Sequence, residues 1–326
     1  MKAFAMRGLV LATGCLLWAI GTINAPSKAP ELNWYKGNLH THTINSDGDS
    51  SPAAVARWYK EQHYNFLALT DHNYFTDPQG LNGFLSANER FLLIRGEEVT
   101  SGFGNAPVHV NALRVRSTIE PAFGDSVLST LQKNVDRIRG TGAMPSLNHP
   151  FYRWAISAEE LKQVKGLKLF EVFNGHPQTN DGGLEALWDA TLSAGNRMYG
   201  VAVDDAHVFK RFAPEESNPG RGWIEVQAPE LTEEALLRAI DQGDFYSSSG
   251  VKLKSMERGP GRLSLEIAQQ YDEEFQIRFV GAGGRILKTE TGMSAQHQLR
   301  PGDGYVRASV VDSNGRQAWT QPVFAD

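Results

Sequence analysis

Cysteine is almost missing from this chain: Cys15 is the one copy among 326 residues, and it falls inside an apolar N-terminal segment. A chain cleaved after that segment has no thiol. This excludes a disulfide framework, a cysteine nucleophile and thiolate metal ligands. Clustered positive charge is missing too. The formal net charge is −5 and no Lys- or Arg-rich run occurs, so the footprint a nucleic-acid partner needs is not there. No Gly-rich phosphate loop is present, which argues against chemistry driven by a nucleoside triphosphate. Beyond the N-terminal segment there is no apolar run long enough to span a bilayer. Histidine is depleted in one region: eight of the nine precede residue 210, and the last third holds only His297.

The first 25 residues are laid out as a secretory leader. Lys2 and Arg7 precede an apolar run from Gly8 to Ile23, and Asn24-Ala25 leads into Pro26-Ser27-Lys28. A positive start, a short apolar stretch and a small residue at the cut are the marks of a signal peptide. The alternative is an uncleaved membrane anchor, which Pro26 just after the cut favours. Ala12-Thr13-Gly14-Cys15 has the outline of a lipoprotein box, but it lacks Leu and would split the apolar run. Export to a bacterial periplasm or the extracellular space is expected, and residues 26–33 read as a linker.

What the chain does contain is an ordered series of metal-ligand residue types. Asn38-Leu39-His40-Thr41-His42-Thr43 opens it, followed by Ser46-Asp47-Gly48 and Leu69-Thr70-Asp71-His72. Two His at i and i+2 of a strand face the same way, because strand side chains alternate. Gly96-Glu97-Glu98-Val99, His109-Val110-Asn111, Asn148-His149-Pro150 and Asp204-Asp205-Ala206-His207 come next. Any one of these His alone reads as a structural side chain. Together they are the N and O donors that divalent metals take.

In series, H-x-H, S-D-G, T-D-H, G-x-E, N-H-P and D-x-H resemble the polymerase-and-histidinol-phosphatase (PHP) family of metal-dependent phosphoesterases, over roughly Trp34 to Ser249. The phrase Glu171-Val172-Phe173-Asn174-Gly175 and the run from Leu231-Thr232-Glu233-Glu234-Ala235 to Tyr246-Ser247-Ser248 are similar to the single-domain exported branch with carbaryl-hydrolase-like members. The resemblance implies two to three divalent ions. His40, His42, Glu98 and Asp205 would hold the first, and Asp47, His72 and His149 the second. Glu98 would bridge to a third completed by His109 and His207. The family carries His or Asp at the second position, and here it is Asp47. Six His and three carboxylates suit Mn, Zn or Fe better than Ca or Mg. Neighbouring strand residues face opposite ways, so the family's G-x-E selects Glu98 over Glu97 and D-x-H selects Asp205 over Asp204. Asp71 and Asp204 are then expected to hold His N–H groups.

Other polar residues near the motifs have possible roles. His176 follows Phe173-Asn174-Gly175 on a predicted loop and could contact substrate or donate a proton. Arg153, Lys210 and Arg211 lie close in sequence to ligands, where a cation could grip a phosphate. His63 reads as a helix-end His and His297 as a surface His.

Short β-like and helical runs alternate from Trp34 onward. The strands expected are Tyr35–Leu39, Phe66–Thr70, Phe91–Arg95, His109–Val115, Met144–Asn148, Leu169–Phe173 and Met198–Val203. The helices are Pro52–Gln62, Asp125–Arg139, Ala158–Lys165, Gly183–Ser193 and Glu233–Gln242. Such alternation argues an α/β fold with a parallel sheet or barrel, and the ligands sit at strand ends, where α/β barrels keep their active sites. The resemblance implies a distorted seven-stranded β/α barrel over residues 34–250. After Gly250 short alternating runs and Gly-rich turns read as a small β-sandwich-like accessory domain over residues 251–326.

The expected activity is hydrolysis of a small phosphomonoester or phosphodiester, with water bound to metal as nucleophile, since bound ions bring its pKa near neutrality. A carboxylic or carbamic ester hydrolase with the same site is the alternative. A non-catalytic metal- or carbohydrate-binding scaffold is a third reading, whose mark would be eroded ligands.

Overall fold

The computed structural model describes residues 1, 31–85, 91–179 and 182–325, and the leader and most of the linker lie outside them. Residues from Leu32 onward form one compact unit. In chain order its first elements are β1 (Asn33–Asn38), α1 (Pro52–Glu61), β2 (Phe66–Ala68), α2 (Gln79–Leu85), β3 (Leu92–Ile94), β4 (Gly96–Phe103), β5 (Ala106–Leu113) and α3 (Val127–Gly140). Then come β6 (Met144–Leu147), α4 (Ala158–Gln163), β7 (Leu169–Asn174), α5 (Leu184–Ser193), β8 (Tyr199–Val203), β9 (Trp223–Ala228), α6 (Glu233–Gln242) and β10 (Phe245–Ser248). Strands fill the remainder: β11 (Leu253–Gly259), β12 (Arg262–Ile267), β13 (Phe275–Gly281), β14 (Arg285–Thr291), β15 (Ser294–Gln298), β16 (Tyr305–Asp312), β17 (Gln317–Thr320) and β18 (Val323–Phe324). Among the described residues no helix is long and apolar enough to cross a membrane.

Local chemistry sets the helix starts. Ser51 caps α1, its Oγ accepting from Ala54 N, with Pro52 at the first helical position, where a missing N–H costs nothing. Ser126, Ser157 and Thr232 cap α3, α4 and α6 in the same way. Gly243 ends α6 at φ 76°, a left-handed conformation that glycine adopts without strain.

The strands around the ligands lie in two sheets. One runs β3-β2-β1-β9-β10-β17-β16-β13-β14; the other is β4-β5-β6-β7-β8. β1, β2 and β3 are parallel, as are β6, β7 and β8, whereas β4 and β5 form an antiparallel hairpin. Two isolated parallel bridges, Thr41↔Ala206 and His72↔Glu98, link the sheets just past the ends of β1, β8 and β2. Between the sheets Leu39, Phe66, Ile94, Leu113, Leu169, Val201 and Ile224 form one apolar cluster with α6. The ligand residues therefore sit at the rim of a packed core, where backbone pairing between the sheets is reduced to single bridges.

The C-terminal strands continue the first sheet. Tyr246, Ser247 and Ser248 of β10 pair with Thr320, Trp319 and Ala318 of β17. A three-stranded sheet, β11-β12-β15, buries Leu253, Leu263 and Ile267 against Ile277, Phe279 and Val310. His297 on β15 is not a surface side chain: it is 6% exposed, stacks on Phe279 and lies 3.2 Å from Asp303 Oδ2. Its polar neighbours Gln296 and Gln298 point away from that layer, which is why the local sequence suggested exposure.

A buried ion network ties α5 to β16. Asp189 accepts from Tyr305 Oη and from Arg307 Nε and Nη2, all at 2.8 Å, while Arg307 Nη1 reaches Glu185. Arg307 is 1% exposed. Removing one member of such a pair leaves an uncompensated buried charge, which costs roughly 3–5 kcal/mol. Asp189→Ala is expected to lower the unfolding free energy obtained from urea titration by that order, and a loss below about 1 kcal/mol would show that water reaches Arg307.

Candidate metal centre

Glu98 occupies the middle of the site. It is fully buried on β4. Its Oε2 lies 3.3 Å from both His40 Nε2 and His42 Nε2 and 3.0 Å from His72 Nδ1. Its Oε1 lies 3.0 Å from His109 Nδ1, 3.4 Å from His149 Nε2 and 2.7 Å from the Asn148 amide that donates to it. Glu97 turns to the other face, where it accepts from Ile119 N.

His40 and His42, just past β1, meet through their Nε2 atoms at 3.0 Å, and Asp205 Oδ1 is 3.2 Å from each. Four donors bonded at 2.0–2.1 Å around one ion are separated by about 3.3 Å in tetrahedral geometry. Two imidazole nitrogens at 3.0 Å fit that spacing. Glu171 Oε1 holds His40 Nδ1 at 2.7 Å, leaving Nε2 free to face the cluster. The Asp205 carbonyl does the same for His207, accepting from Nδ1 at 2.9 Å.

All nine residues expected as ligands fall into four overlapping groups whose donor atoms lie within 4.8 Å: His40/His42/Asp205, His42/Asp47/His72/His207, His40/Glu98/His149 and His72/Glu98/His109. The grouping differs from the one the resemblance implied in one exchange. His207 joins Asp47, with Nε2 3.4 Å from Oδ1, and His149 joins Glu98 and stacks edge-on with His109. Strand order explains this. β6 lies beside β5, so His149 falls next to His109, while the Thr41↔Ala206 bridge sets His207 beside His42.

Two expected His partners have other work. Asp71 accepts from Thr43 N and from the hydroxyls of Thr43, Ser46 and Thr76, shaping the loop that carries Asp47. Gly48 completes that loop: a Cβ there would sit 2.6 Å from the His42 carbonyl oxygen. Asp204 accepts from Gly220 N, Arg221 N, Gly222 N and Tyr59 Oη. Both oxygens of each carboxylate are taken up by backbone and hydroxyl donors, all but Thr76 at least 16 residues away in sequence, so neither role is evident locally.

Glu171 is the site residue that sequence reasoning missed. Besides His40 it accepts from His149 N and Asn174 Nδ2, both at 2.7 Å. A signal existed, since a carboxylate inside the apolar strand Leu169–Asn174 requires a partner.

The remaining candidates lie nearby. The His176 ring is 5.7 Å from that of His207, and its Nδ1 accepts from Gln178 N at 3.2 Å, which assigns the proton to Nε2. Arg153 lies over the Tyr152 ring at 5.3 Å, and Tyr152 abuts His149 edge-on. Arg211 is engaged by Glu216. Lys210 donates its backbone N–H to Asp49. His63 closes α1 at φ 61° with its side chain exposed.

The protonation pattern follows from charge crowding. Burial opposes charge on His40, but Asp205, Glu98 and Glu171 outweigh it and raise its pKa well above the usual value. Burial likewise opposes charge on His72, yet Glu98 and Asp47 raise it to about 10. Burial and the neighbouring His207 depress His42 to about 3. Burial would raise Glu98, but His72, His40 and His109 hold it well below the ordinary range. Protons on some imidazoles thus balance the carboxylates, and divalent ions would displace them, since metal ligands bind deprotonated. Two ligands sit on strained backbone, His149 at φ 23° and Asp205 at φ 50°, a cost that non-glycine residues bear mostly at functional sites.

No sequence-family model and no curated protein matches the chain. Solved structures do. A two-domain protein from Bacteroides vulgatus containing a predicted PHP-like metal-dependent phosphoesterase aligns over 85% of this chain and 90% of its own, at TM-score 0.53 and 18% identity. An amidohydrolase from Chromobacterium violaceum aligns over 53% of this chain and 88% of its own, at TM-score 0.40 and 17% identity. At such identity the likeness to the first is one of fold: the two share a mixed α/β architecture.

Glu171→Gln is expected to weaken divalent-metal affinity by about 10–100-fold, as loss of a carboxylate behind a ligating His does. Chelator competition measures it, and unchanged affinity would mean that Glu171 does not orient His40. Glu97 gives a pH prediction. Burial raises its pKa to about 7, so the carboxyl favours the fold at low pH and that advantage is lost as pH rises from the unfolded value through 7. In metal-stripped protein Glu97→Gln should remove this decline, and parallel urea-midpoint curves for variant and wild type would refute it.

Proposed function

We propose that this chain is an exported member of the PHP family: a distorted seven-stranded β/α barrel with a β-sandwich-like accessory domain that hydrolyses a small phosphomonoester or phosphodiester. The observation that carries the reading is the buried Glu98 carboxylate contacted on both oxygens by imidazoles. Two or three Mn, Zn or Fe ions held by His40, His42, Asp47, His72, Glu98, His109, His149, Asp205 and His207 would supply Lewis acidity and water that ionises near neutral pH. Glu171 and the Asp205 carbonyl fix imidazole orientation, so the donors need not reorganise when substrate binds.

Arg153, exposed beside His149 by way of Tyr152, is the cation assigned to the phosphate. Arg211 is not, because Glu216 already holds its guanidinium. The Nε2–H of His176, beside His207, is assigned to the substrate as a hydrogen-bond donor to the departing oxygen. A carboxylic or carbamic ester remains the second reading, supported by the aromatic run Phe151-Tyr152 and Trp154 next to His149. The scaffold reading loses ground because no ligand position is eroded.

Elemental analysis of protein expressed from Ser27 onward should find two to three equivalents of Mn, Zn or Fe. Phosphate release from small esters should vanish on chelation, return with metal, and be absent in His40→Ala at every metal concentration. A His40→Ala variant as active as metal-treated wild type would overturn the assignment.

A further inference from the structure

The seven residues after the strand β6 carry three non-glycine backbones at positive φ: His149 at 23°, Arg153 at 53° and Trp154 at 55°. A bulky residue in the left-handed region is an outlier, and it carries a strain that the surrounding structure must overcome. For His149 the reason is plain, since it is a ligand. For Trp154 the fold gives none. Its side chain is 74% exposed and touches Phe151 with ring centroids 5.2 Å apart. An indole left largely in water contributes little burial, so the fold would be better served by glycine here.

The turn is nonetheless firmly built. Tyr152 N donates to the His149 carbonyl, Trp154 N to that of Phe151, and Ile156 N to that of Pro150, at 2.8–3.0 Å. Two hydrogen-bonded turns thus fix Trp154 relative to the ligand His149. Between them the Tyr152 ring abuts His149 at 5.5 Å and carries the Arg153 guanidinium at 5.3 Å. Among the described residues the Arg153 guanidinium meets the Tyr152 ring and no carboxylate. A ligand imidazole, an unpaired cation and a presented aromatic face therefore succeed one another along one rigid turn. They match an anion at the metal centre joined to a flat apolar group outside it.

From this, and resting on the phosphoesterase reading, we infer that Trp154 is a specificity-determining residue: the substrate is an organic phosphate whose leaving group carries an aromatic ring, and that ring seats on the Trp154 indole. Stacking of this kind, together with the area it covers, supports a preference of about tenfold.

The test uses benzylphosphonate and n-propylphosphonate, which share an anionic head and cannot be hydrolysed. Calorimetric titration of metal-loaded protein should show the benzyl compound binding about tenfold more tightly. Trp154→Gly should lose that preference and Trp154→Phe should keep most of it. Trp154→Gly should also unfold at the same or a higher urea concentration, because the strain is relieved. Equal affinities in wild type, no binding of either compound, or a less stable Trp154→Gly each overturn the inference. Turnover of benzyl and n-propyl phosphate separates the two proposals. Preferential binding without turnover of either ester leaves the subsite standing and removes the phosphoesterase reading. Turnover of both with no preference does the reverse.

Discussion

One buried negative charge organises this molecule. A carboxylate shielded from water is costly unless counter-charge and hydrogen bonds meet it on every side, and Glu98 is met by five imidazoles and one amide. Those partners come from just past the ends of β1, β2 and β6 and from the middle of β5. The sheets need not be zipped together at this rim by a continuous ladder, because the ionic cluster spans the gap that two isolated bridges leave. The same cluster accounts for the opposed protonation tendencies of His42 and His72, which crowd the same carboxylate oxygen with their rings 4.6 Å apart.

The layers behind the rim serve this arrangement. Glu171 anchors His40 and the backbone of His149 together, so the first and sixth strands report to one carboxylate. Asp71 and Asp204 each collect several donors to fix a loop, Asp71 the one bearing Asp47 and Asp204 the one at 220–222. Polar residues that look like ligands in the sequence therefore divide into those that face the cluster and those that hold the backbone that faces it.

Which side chains converge was legible in the sequence, and how they pair was not. His40 and His42 declare a shared face by their spacing, and α6 declares both ends through Thr232 and Gly243. β4 was not recognised as a strand because Gly96-Glu97-Glu98 and Ser101-Gly102 lack the β-branched and aromatic residues that mark one; its pairing with β5 and the ligand field hold it extended. The exchange of His149 and His207 follows from strand order in space, which no local pattern encodes. His297 misled for a similar reason, since burial came from a sheet packed over it rather than from its neighbours in sequence.

The pairing of β1 with β9, Tyr35 opposite Val226, has a consequence for how the molecule is made. The strand that leads to His40 and His42 is held on one side by β2 and on the other by residues nearly two hundred positions later. Contacts so distant in sequence close late, because loop entropy must be overcome before they form. The last ligand, His207, also leaves the ribosome well before β9 and β10 can brace β1. The donor set at this rim is therefore complete only after the whole sheet has closed, and its assembly reads out whether folding has finished.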